Sequence, residues 1–351
     1  MNQSQQKLFE KQDLTQQECK KIFDELINGK LSDVEMTSLL VSLKMKGEQP
    51  SEIAGAAQAL RENAVAFDKT DYPTADSCGT GGSGMNTVNI STMVAFVLAE
   101  MGLHMVKHGN RSISSKCGSA DVLESLGIKI DMPAAMAKSC LDATGFCFLF
   151  APLYHPGVGN VMPIRNQLKT RTIFNSLGPL INPAAPEYQL MGTYSEALCL
   201  PAAESLKLSG CKSALIVHSN GYDEITLHSP TKAVELNQGK IASYQLNAND
   251  FGLPQCNEKD IAGSTPELNA KIFTDVLQGN INSDKLVSIS NTVAANSAAL
   301  LKAAGMQTNL MEATQAALKV IHSGAAFKRL QKVVDFCKQG KFDNNQVDSN
   351  E

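Results

Sequence analysis

The sequence predicts an α/β protein that opens with a helical segment, and three observations support this class. The first ~65 residues show only amphipathic helix patterns, whose apolar faces are too narrow to form a core of their own. From about residue 75, short apolar runs alternate with glycine-rich turns and amphipathic stretches, which is typical of β-α units around a sheet. The length of 351 residues exceeds what one compact core usually holds. Two subdomains or one large α/β unit are therefore expected.

The helical segment is predicted from its start signals. Thr15-x-x-Glu18 and Ser32-x-x-Glu35 have the pattern of capping boxes, in which a hydroxyl and a carboxylate satisfy amide donors at a helix start. Apolar residues recur on one face after each box. Ser51 is expected to open a third, alanine-rich helix. Because these faces lack a core of their own, we expect the segment to dock on the rest of the chain or to dimerise.

The rest of the chain is predicted as alternating strands and helices. Strands are expected at 103–107, 146–150, 189–194 and 213–218. Helices are expected at 89–101, 118–127, 133–144, 201–209, 266–278, 285–304, 310–322 and 325–338. Pro179, Pro183 and Pro186 mark a connection that we interpret as joining two subdomains. The residues after Lys341 are polar and are expected to be frayed.

Composition and charge exclude several classes of protein. Lysine and arginine number 31 and aspartate and glutamate 35, so the net charge is -4, opposite in sign to the usual basic footprint of a nucleic-acid binder. With 13 Phe, 6 Tyr and no Trp, few rings are available to stack on bases. The start lacks the apolar region of a signal peptide, and we expect a cytoplasmic protein. Nine cysteines without a C-x-x-C pair predict reduced, mostly buried thiols.

A glycine-rich loop is the first candidate site. Residues 79–84 read GTGGSG, and such a loop lets consecutive backbone N–H groups converge on a phosphate. Asn89 and Ser91 follow at a predicted helix start, whose partial positive charge also favours an anion. The alternative is an ordinary tight turn. The string also fits G-x-G-x-x-G, but the preceding TDYPTADS is not a hydrophobic strand and no acidic residue ends the next strand, which argues against a dinucleotide fold.

A basic, hydroxyl-rich stretch at 107–119 is the second candidate. It holds three cations and four serines in KHGNRSISSKCGS, beside a predicted helix start. Arginine and lysine with hydroxyls at a helix start indicate polyanion binding. The alternative is a solvated surface loop.

Isolated polar residues complete the candidate set. Asp223 and Glu224 follow the predicted strand and a Gly221 turn, and paired carboxylates there suit Mg²⁺, although such a pair is more often an ordinary surface pair. Arg165 lies on a candidate helix and suits a substrate carboxylate or a structural ion pair. His108 and His155 suit a substrate hydrogen bond or a structural one. His104 and His108 lack a metal geometry, so zinc is not expected.

Several strings, taken together and in order, resemble the anthranilate phosphoribosyltransferases, which join phosphoribosyl pyrophosphate (PRPP) to anthranilate. The strings are GTGGSG at 79–84, NIST at 89–92, KHGNRSISSKCGSADVLE at 107–124, LFAPLYHP at 149–156, RTIFNSLGPLINP at 171–183 and DE at 223–224. The resemblance runs from about residue 10 to 338. It departs at Ser83, where the family commonly has Asp, and at Cys117, where it commonly has Ser.

The resemblance implies an architecture and partners. A small N-terminal helical domain, residues 1–70 with a central segment at about 168–188, would be hinged to a larger α/β domain with a central sheet flanked by helices. That α/β domain would comprise 71–167 and 189–341, with a polar tail at 342–351. A homodimer through the helical domain would be expected, with no nucleic acid and no membrane partner.

The resemblance also implies site residues and a cofactor. PRPP would contact Gly79, Gly82, Ser83, Thr87, Asn89, Ser91, Thr92, Lys107 and Ser119. Anthranilate would contact Gly79, His108, Asn110, His155, Arg165 and Gly178. Two Mg²⁺ ions, one of them bridging the pyrophosphate of PRPP, would be positioned by Ser91, Asp223 and Glu224. No covalent nucleophile would be needed, since Lys107, Ser119 and Mg²⁺ would stabilise the departing pyrophosphate.

Three alternative functions are weighed against this one. A pyrimidine-nucleoside phosphorylase shares the handling of ribose and phosphate, but Arg165 and the KHGNRS string favour the transferase. A non-catalytic nucleic-acid-binding relative conflicts with the acidic balance. An NAD-dependent dehydrogenase rests on the glycine spacing alone.

Overall fold

The computed structural model describes residues 3–112 and 116–339. A seven-stranded sheet lies at its centre, in the order β3-β2-β1-β4-β5-β6-β7. The strands β1 to β7 are Thr74–Gly79, His104–Gly109, Phe146–Phe150, Tyr188–Gly192, Ser213–His218, Thr231–Asn237 and Lys240–Leu246. The first five strands are parallel to one another, and β6 and β7 continue the sheet in antiparallel pairs after β5.

Helices surround this sheet and form the N-terminal segment. The helices α1 to α15 are Gln3–Phe9, Gln16–Ile27, Asp33–Lys46, Pro50–Glu62, Ile90–Glu100, Ser119–Ser125, Ala134–Thr144, Ala151–Tyr154, Met162–Leu168, Phe174–Leu177, Cys199–Leu208, Pro266–Leu277, Asp284–Ala303, Leu310–His322 and Ala325–Gln339. Short 3-10 turns lie at Pro156–Asn160, Gly178–Leu180, Glu196–Leu198, Ala248–Phe251 and Glu258–Ile261. None of the described helices combines the length and the apolarity needed to cross a membrane.

The predicted helix starts are confirmed at both capping boxes. Thr15 and Ser32 accept from the backbone N–H groups of Glu18 and Glu35, whose carboxylates bond back to the cap. The third predicted helix, which is α4, begins at Pro50 rather than Ser51, because proline fits the first helical position. The predicted helices from 89 to 338 and the four predicted strands are confirmed to within about two residues at each end.

The structure adds three strands that were not predicted, β1, β6 and β7. β1 reads TADSCG and five of its six residues are buried, so the expectation that no strand precedes the glycine loop is wrong. Its polar Asp76 has a long-range partner, because Asn182 Nδ2 donates to Asp76 Oδ2 at 2.9 Å. β6 and β7 form a hairpin that turns at Gln238 and Gly239, both with positive φ.

Two hydrophobic cores cover the two faces of the sheet. One joins α5, α7 and α12 to α15 with β2 and β3. The other joins the N-terminal helices with Ile173, Leu177 and Leu180, with α11 and with Met191 and Ile216 of the sheet. The N-terminal helical domain therefore docks on the α/β domain. The exact domain bounds stay a prediction, since the second core runs across them, and the tail at 342–351 lies outside the described residues.

The strand order places a switch point at the centre of the sheet. The chain builds β2 and β3 on one side of β1 and then returns to build β4 and β5 on the other. In open α/β sheets, ligands bind beyond the carboxyl ends of the strands where the order reverses. At these ends Gly79 of β1 pairs with Gly192 of β4, so the glycine loop begins at the expected position.

Candidate active site

Asp223 lies directly below the glycine loop. The backbone N–H of Gly81 donates to Asp223 Oδ2 at 2.9 Å. A Cβ at Gly79 would lie 2.2 Å from Asp223 Oδ2, and a Cβ at Gly192 would lie 1.6 Å from the Asp223 carbonyl oxygen. Real Cβ atoms do not approach so closely, so the two strand-end glycines leave the space through which the acidic segment passes.

The carboxylates of Asp223 and Glu224 are suited to a cation. Thr87 Oγ1 donates to Glu224 Oε1 at 3.4 Å, while the buried Glu224 Oε2 has no hydrogen-bond partner among the described residues. Burial raises the pKa of both carboxyls, and the Asp223 charge raises the pKa of Glu224 further. A bound cation would satisfy the unpaired oxygen and favour the ionised forms.

The donor set is also what a magnesium ion prefers. Among the described residues, no group of three or more His, Cys, Asp or Glu side chains is placed to hold a metal. Mg²⁺ usually takes one or two protein carboxylates and completes its shell with waters and substrate phosphates. Two carboxylates near a hydroxyl and the glycine loop therefore fit Mg²⁺ better than zinc.

Lys107 reaches the same region from β2. It is only 2% exposed, and its Nζ donates to the Ser77 carbonyl at 2.7 Å and to Ser91 Oγ at 3.2 Å. Burial lowers the pKa of Lys107, and the charges of Asp76 and Glu224 oppose that shift. The ammonium has three donors, so one remains beyond these two bonds. Lys107, Ser91 and the acidic pair thus form one electrostatically linked group.

The start of α5 supplies further polar atoms. Asn89 is its N-cap, yet the side chain makes no capping bond. Its amide instead donates to the Cys117 carbonyl at 3.3 Å and so links the start of α5 to the 107–119 stretch. Thr92 Oγ1 is buried without a partner among the described residues. These are polar groups that a bound ligand would satisfy.

The 107–119 stretch is less basic in effect than its sequence predicts. Arg111 forms ion pairs with Asp121 at 3.1 Å and Glu124 at 2.8 Å, so the expectation of three cations facing a polyanion is wrong for Arg111. Ser119 Oγ donates to the Asn110 carbonyl at 3.4 Å, which holds the start of α6 beside the end of β2. Residues 113–115 lie outside the described residues.

A second cluster lies on the side of the N-terminal helices. His108 Nδ1 and the Gly178 carbonyl are 3.2 Å apart, and the His108 and His155 rings meet edge to face at 5.2 Å. Burial lowers the pKa of His108 to about 3 and of His155 to about 4, so both rings are neutral near pH 7. His108 Nε2 is buried without a hydrogen-bond partner among the described residues, whereas the His155 ring lies against backbone groups of Ile181 and Leu60. This cluster thus brings two buried imidazole rings and the Gly178 carbonyl together.

Arg165 provides the charge of this cluster. Its guanidinium lies 5.1 Å from the Phe174 ring centroid and contacts Met162 Sδ at 3.5 Å. Within 3–112 and 116–339, no acidic side chain forms an ion pair with it. An arginine without a protein carboxylate is available for a substrate carboxylate.

Arg171 connects the glycine loop to the N-terminal helices and was not predicted as a site residue. It donates to the Gly82 carbonyl, and its guanidinium lies 4.2 Å from the Tyr194 ring centroid. Its own carbonyl accepts from Lys44 of α3 at 3.0 Å. The glycine loop is therefore tied to the N-terminal helices. Arg171 belongs to the RTIFNSLGPLINP string, so its position was visible but its long-range partners were not.

Comparison with known proteins identifies relatives of the whole chain. Residues 71–327 match the model of a glycosyl transferase family α/β domain, and residues 4–64 match its helical bundle domain. The chain is 48% identical to the anthranilate phosphoribosyltransferase of Pseudoalteromonas translucida, over 94% of this chain and 92% of the relative. It is 49% identical to that of Photorhabdus laumondii, over 92% and 96%.

Solved structures of the same enzyme share the fold. The anthranilate phosphoribosyltransferase of Thermus thermophilus superposes with a TM-score of 0.91 at 35% identity, covering 96% of this chain and 100% of that one. The Saccharomyces cerevisiae enzyme in complex with PRPP and Mg gives a TM-score of 0.86 at 27% identity, covering 95% and 97%. These likenesses cover both the helical and the α/β parts.

Proposed function

The chain belongs to the anthranilate phosphoribosyltransferases of this glycosyl transferase family, and on that premise we propose the reaction that its site performs. It transfers the phosphoribosyl group of PRPP to the amine of anthranilate and yields N-(5-phosphoribosyl)anthranilate and pyrophosphate in L-tryptophan biosynthesis. The observation that carries this proposal is the acidic pair below a phosphate loop at the switch point, with Lys107 beside it.

We assign the PRPP site to the switch-point cluster. Its members are Gly79, Gly82, Ser83, Thr87, Asn89, Ser91, Thr92, Lys107 and Ser119. The loop amides and the buried ammonium are donors, which suits a diphosphate. The unpaired Thr92 hydroxyl supports the assignment, because buried polar atoms in native sites usually have a partner.

We assign Mg²⁺ to Asp223, Glu224 and Ser91, as two ions of which one bridges the pyrophosphate. When bound, Mg²⁺ neutralises charge on phosphate oxygens and orients the leaving group. The buried, unpaired Glu224 Oε2 supports this assignment. The complex of the yeast relative with PRPP and Mg supports the same ion for this chain.

We assign anthranilate to the second cluster, with Gly79, His108, Asn110, His155, Arg165 and Gly178 along its path. Arg165 orients the carboxylate, since it has a planar fork of donors and no described acidic partner. The neutral His108 and His155 rings add no charge that would compete for that carboxylate. His108 directly follows Lys107 on β2, so the anthranilate site adjoins the switch-point cluster.

The transfer step needs positioning more than proton chemistry. The amine nitrogen forms a bond to C1 of the ribose while the C1–O bond to pyrophosphate breaks, and the surplus amine proton passes to the departing pyrophosphate. Lys107 and Ser119 stabilise the negative charge that develops on the leaving group. Closure of the two domains about a hinge excludes water, which would otherwise hydrolyse PRPP.

The assembly and location belong to the same proposal. The helical domain exposes apolar side chains on α3, with Val34 78% and Met45 77% exposed, and a homodimer through this domain would cover them. Size-exclusion chromatography with light scattering should give twice 37.6 kDa. We place the protein in the cytoplasm, because six of its nine cysteines are buried thiols. No nucleic acid or membrane partner is proposed.

Anthranilate fluorescence tests the proposal directly. The signal should disappear when PRPP and Mg²⁺ are added together, and it should persist when either is omitted. Phosphorolysis of thymidine or uridine, with no loss of anthranilate, would instead identify a pyrimidine-nucleoside phosphorylase. Salt-dependent DNA binding or nicotinamide-cofactor binding without PRPP turnover would support the two remaining alternatives.

A further inference from the structure

Asn269 on α12 connects to the PRPP site although it is far from it in sequence. Its side chain is buried, with 2% exposed. Its Oδ1 accepts from the Ser264 backbone N–H at 2.7 Å, and its Nδ2 donates to Asn89 Oδ1 at 3.1 Å. Asn89 is the N-cap of α5, the helix that follows the glycine loop. Two amide side chains therefore form a chain of hydrogen bonds from α12 to the site.

Backbone groups at both ends fix the orientation of these amides. The Ser264 N–H is only a donor, so the atom of Asn269 that faces it is the carbonyl Oδ1. Nδ2 of Asn269 must then face Asn89, and a donor there requires Asn89 Oδ1 as its acceptor. Asn89 Nδ2 consequently faces the Cys117 carbonyl at 3.3 Å, a group that only accepts. The Cys117 thiol also donates to Asn89 Oδ1 at 3.4 Å.

This orientation leaves one donor for the cleft. Asn89 Nδ2 carries two hydrogens, and one bonds to the Cys117 carbonyl. The side chain is half-buried and does not cap its own helix. Oδ1 is occupied by Asn269 and Cys117, so Asn89 offers the cleft a donor and no acceptor. A donor is what a phosphate or ribose oxygen requires.

We infer that Asn269 is a positioning residue that holds Asn89 with its N–H toward the sugar diphosphate. This inference rests on the proposed function, because it assumes that Asn89 contacts PRPP. Asn269 acts through Asn89 and is not itself a contact of the substrate. The amide of Asn269 suits this role because it accepts from one side and donates to the other.

Asn269→Asp tests the orientation without changing the size of the side chain. The carboxylate keeps the bond from the Ser264 N–H but presents an acceptor to Asn89. Asn89 must then reverse its amide, which places Oδ1 against the Cys117 carbonyl and removes the donor from the cleft. We expect the KM for PRPP to rise about 10-fold, because the variant loses one hydrogen bond to a charged group of the substrate. The KM for anthranilate should stay within about two-fold, since Arg165 is untouched.

Controls separate positioning from general destabilisation. Ser205→Ala removes a buried hydroxyl on α11, which bonds the Pro50 and Pro201 carbonyls, and should lower the melting temperature without changing either KM. Asn269→Ala loses the donor to Asn89 and should also raise the KM for PRPP. If Asn269 has only a structural role, Asn269→Ala should raise the KM for PRPP more than the isosteric Asn269→Asp does. If Asn269 positions Asn89, Asn269→Asp should raise this KM at least as much as Asn269→Ala. If the aspartate variant fails to fold, the alanine variant is judged by the same two KM values.

Asn89→Ala distinguishes failure of the inference from failure of the proposed function. If Asn89→Ala leaves the KM for PRPP unchanged, the assignment of Asn89 to PRPP is wrong. If Asn89→Ala raises that KM but neither Asn269 variant does, the positioning role is overturned. The positioning role is also overturned if the Asn269 variants raise the KM for PRPP and the KM for anthranilate equally. In the double variant, Asn269→Asp should add nothing further to the effect of Asn89→Ala.

Discussion

Gly79→Ala should separate activity from folding. A Cβ at Gly79 would lie 2.2 Å from Asp223 Oδ2, whereas ordinary contacts begin at 3.4 Å. The carboxylate must therefore move away by about 1.2 Å, which disturbs its bond from the Gly81 N–H, now at 2.9 Å. The added Cβ would also lie 2.9 Å from Asp223 Cγ and 3.3 Å from the Asp223 carbonyl oxygen, so the backbone of Asp223 must adjust slightly as well, at a cost of about 1–3 kcal/mol. A displacement of about 1 Å at a reacting centre lowers the rate by about 100-fold.

The assay is the rate of anthranilate fluorescence loss at saturating PRPP over a series of Mg²⁺ concentrations. Gly79→Ala should reduce this rate about 100-fold while the protein remains folded by circular dichroism. Gly159→Ala is the matched control, since no atom lies within 4 Å of its added Cβ, and it should behave as wild type. A Gly79→Ala protein with the wild-type rate and Mg²⁺ response would refute the placement of Asp223 in the site.

Three further variants test the charged groups. Arg165→Ala should raise the KM for anthranilate about 10- to 100-fold and leave the KM for PRPP within about two-fold; equal losses would remove its assigned role. Lys107→Met should lower kcat about 100-fold or more, as loss of a preorganised donor does, with little change in the KM for anthranilate. Because the pKa of Glu224 is raised, the Mg²⁺ concentration for half-maximal activity should rise as pH falls, and Glu224→Gln should flatten that dependence. The raised pKa also means that the folded state holds the Glu224 proton more tightly than the unfolded chain does. The metal-free protein should therefore lose stability as pH rises above ordinary carboxyl pKa values. Thermal unfolding with and without Mg²⁺ over a pH series measures this loss.

Features that depend on residues close together in the chain could be predicted from the sequence. The capping boxes at Thr15 and Ser32 depend on residues three positions apart, and both are confirmed. The α/β class and the family follow from periodicity and from several strings in order. The carboxyl pair at 223–224 was placed correctly after β5, because a strand end and a glycine turn are visible in the sequence.

Features that depend on residues far apart in the chain could not be predicted from the sequence. β1 is rich in polar residues, and its buried Asp76 depends on distant partners such as Asn182, 106 residues away. Asn269 and Asn89 are 180 residues apart, and neither carries a motif for the other. Arg111 is different, since Asp121 and Glu124 lie in the same quoted string and their acidic spacing was a usable signal. A count of cations without their carboxylate partners overstated the charge of that loop.

The departure at Ser83 is best understood from the groups that hold Asp223. Burial raises the pKa of Asp223, while the Gly81 N–H and the Ser83 side chain bond to it and oppose that shift. An aspartate at position 83 would add a charge but would repel Asp223 where the serine now donates. Relative to a loop with aspartate at position 83, this loop would have one fewer carboxylate and a more readily ionised Asp223. Because a cation binds the ionised form, the serine would offset part of the missing charge at the Mg²⁺ site that we propose at residues 223 and 224.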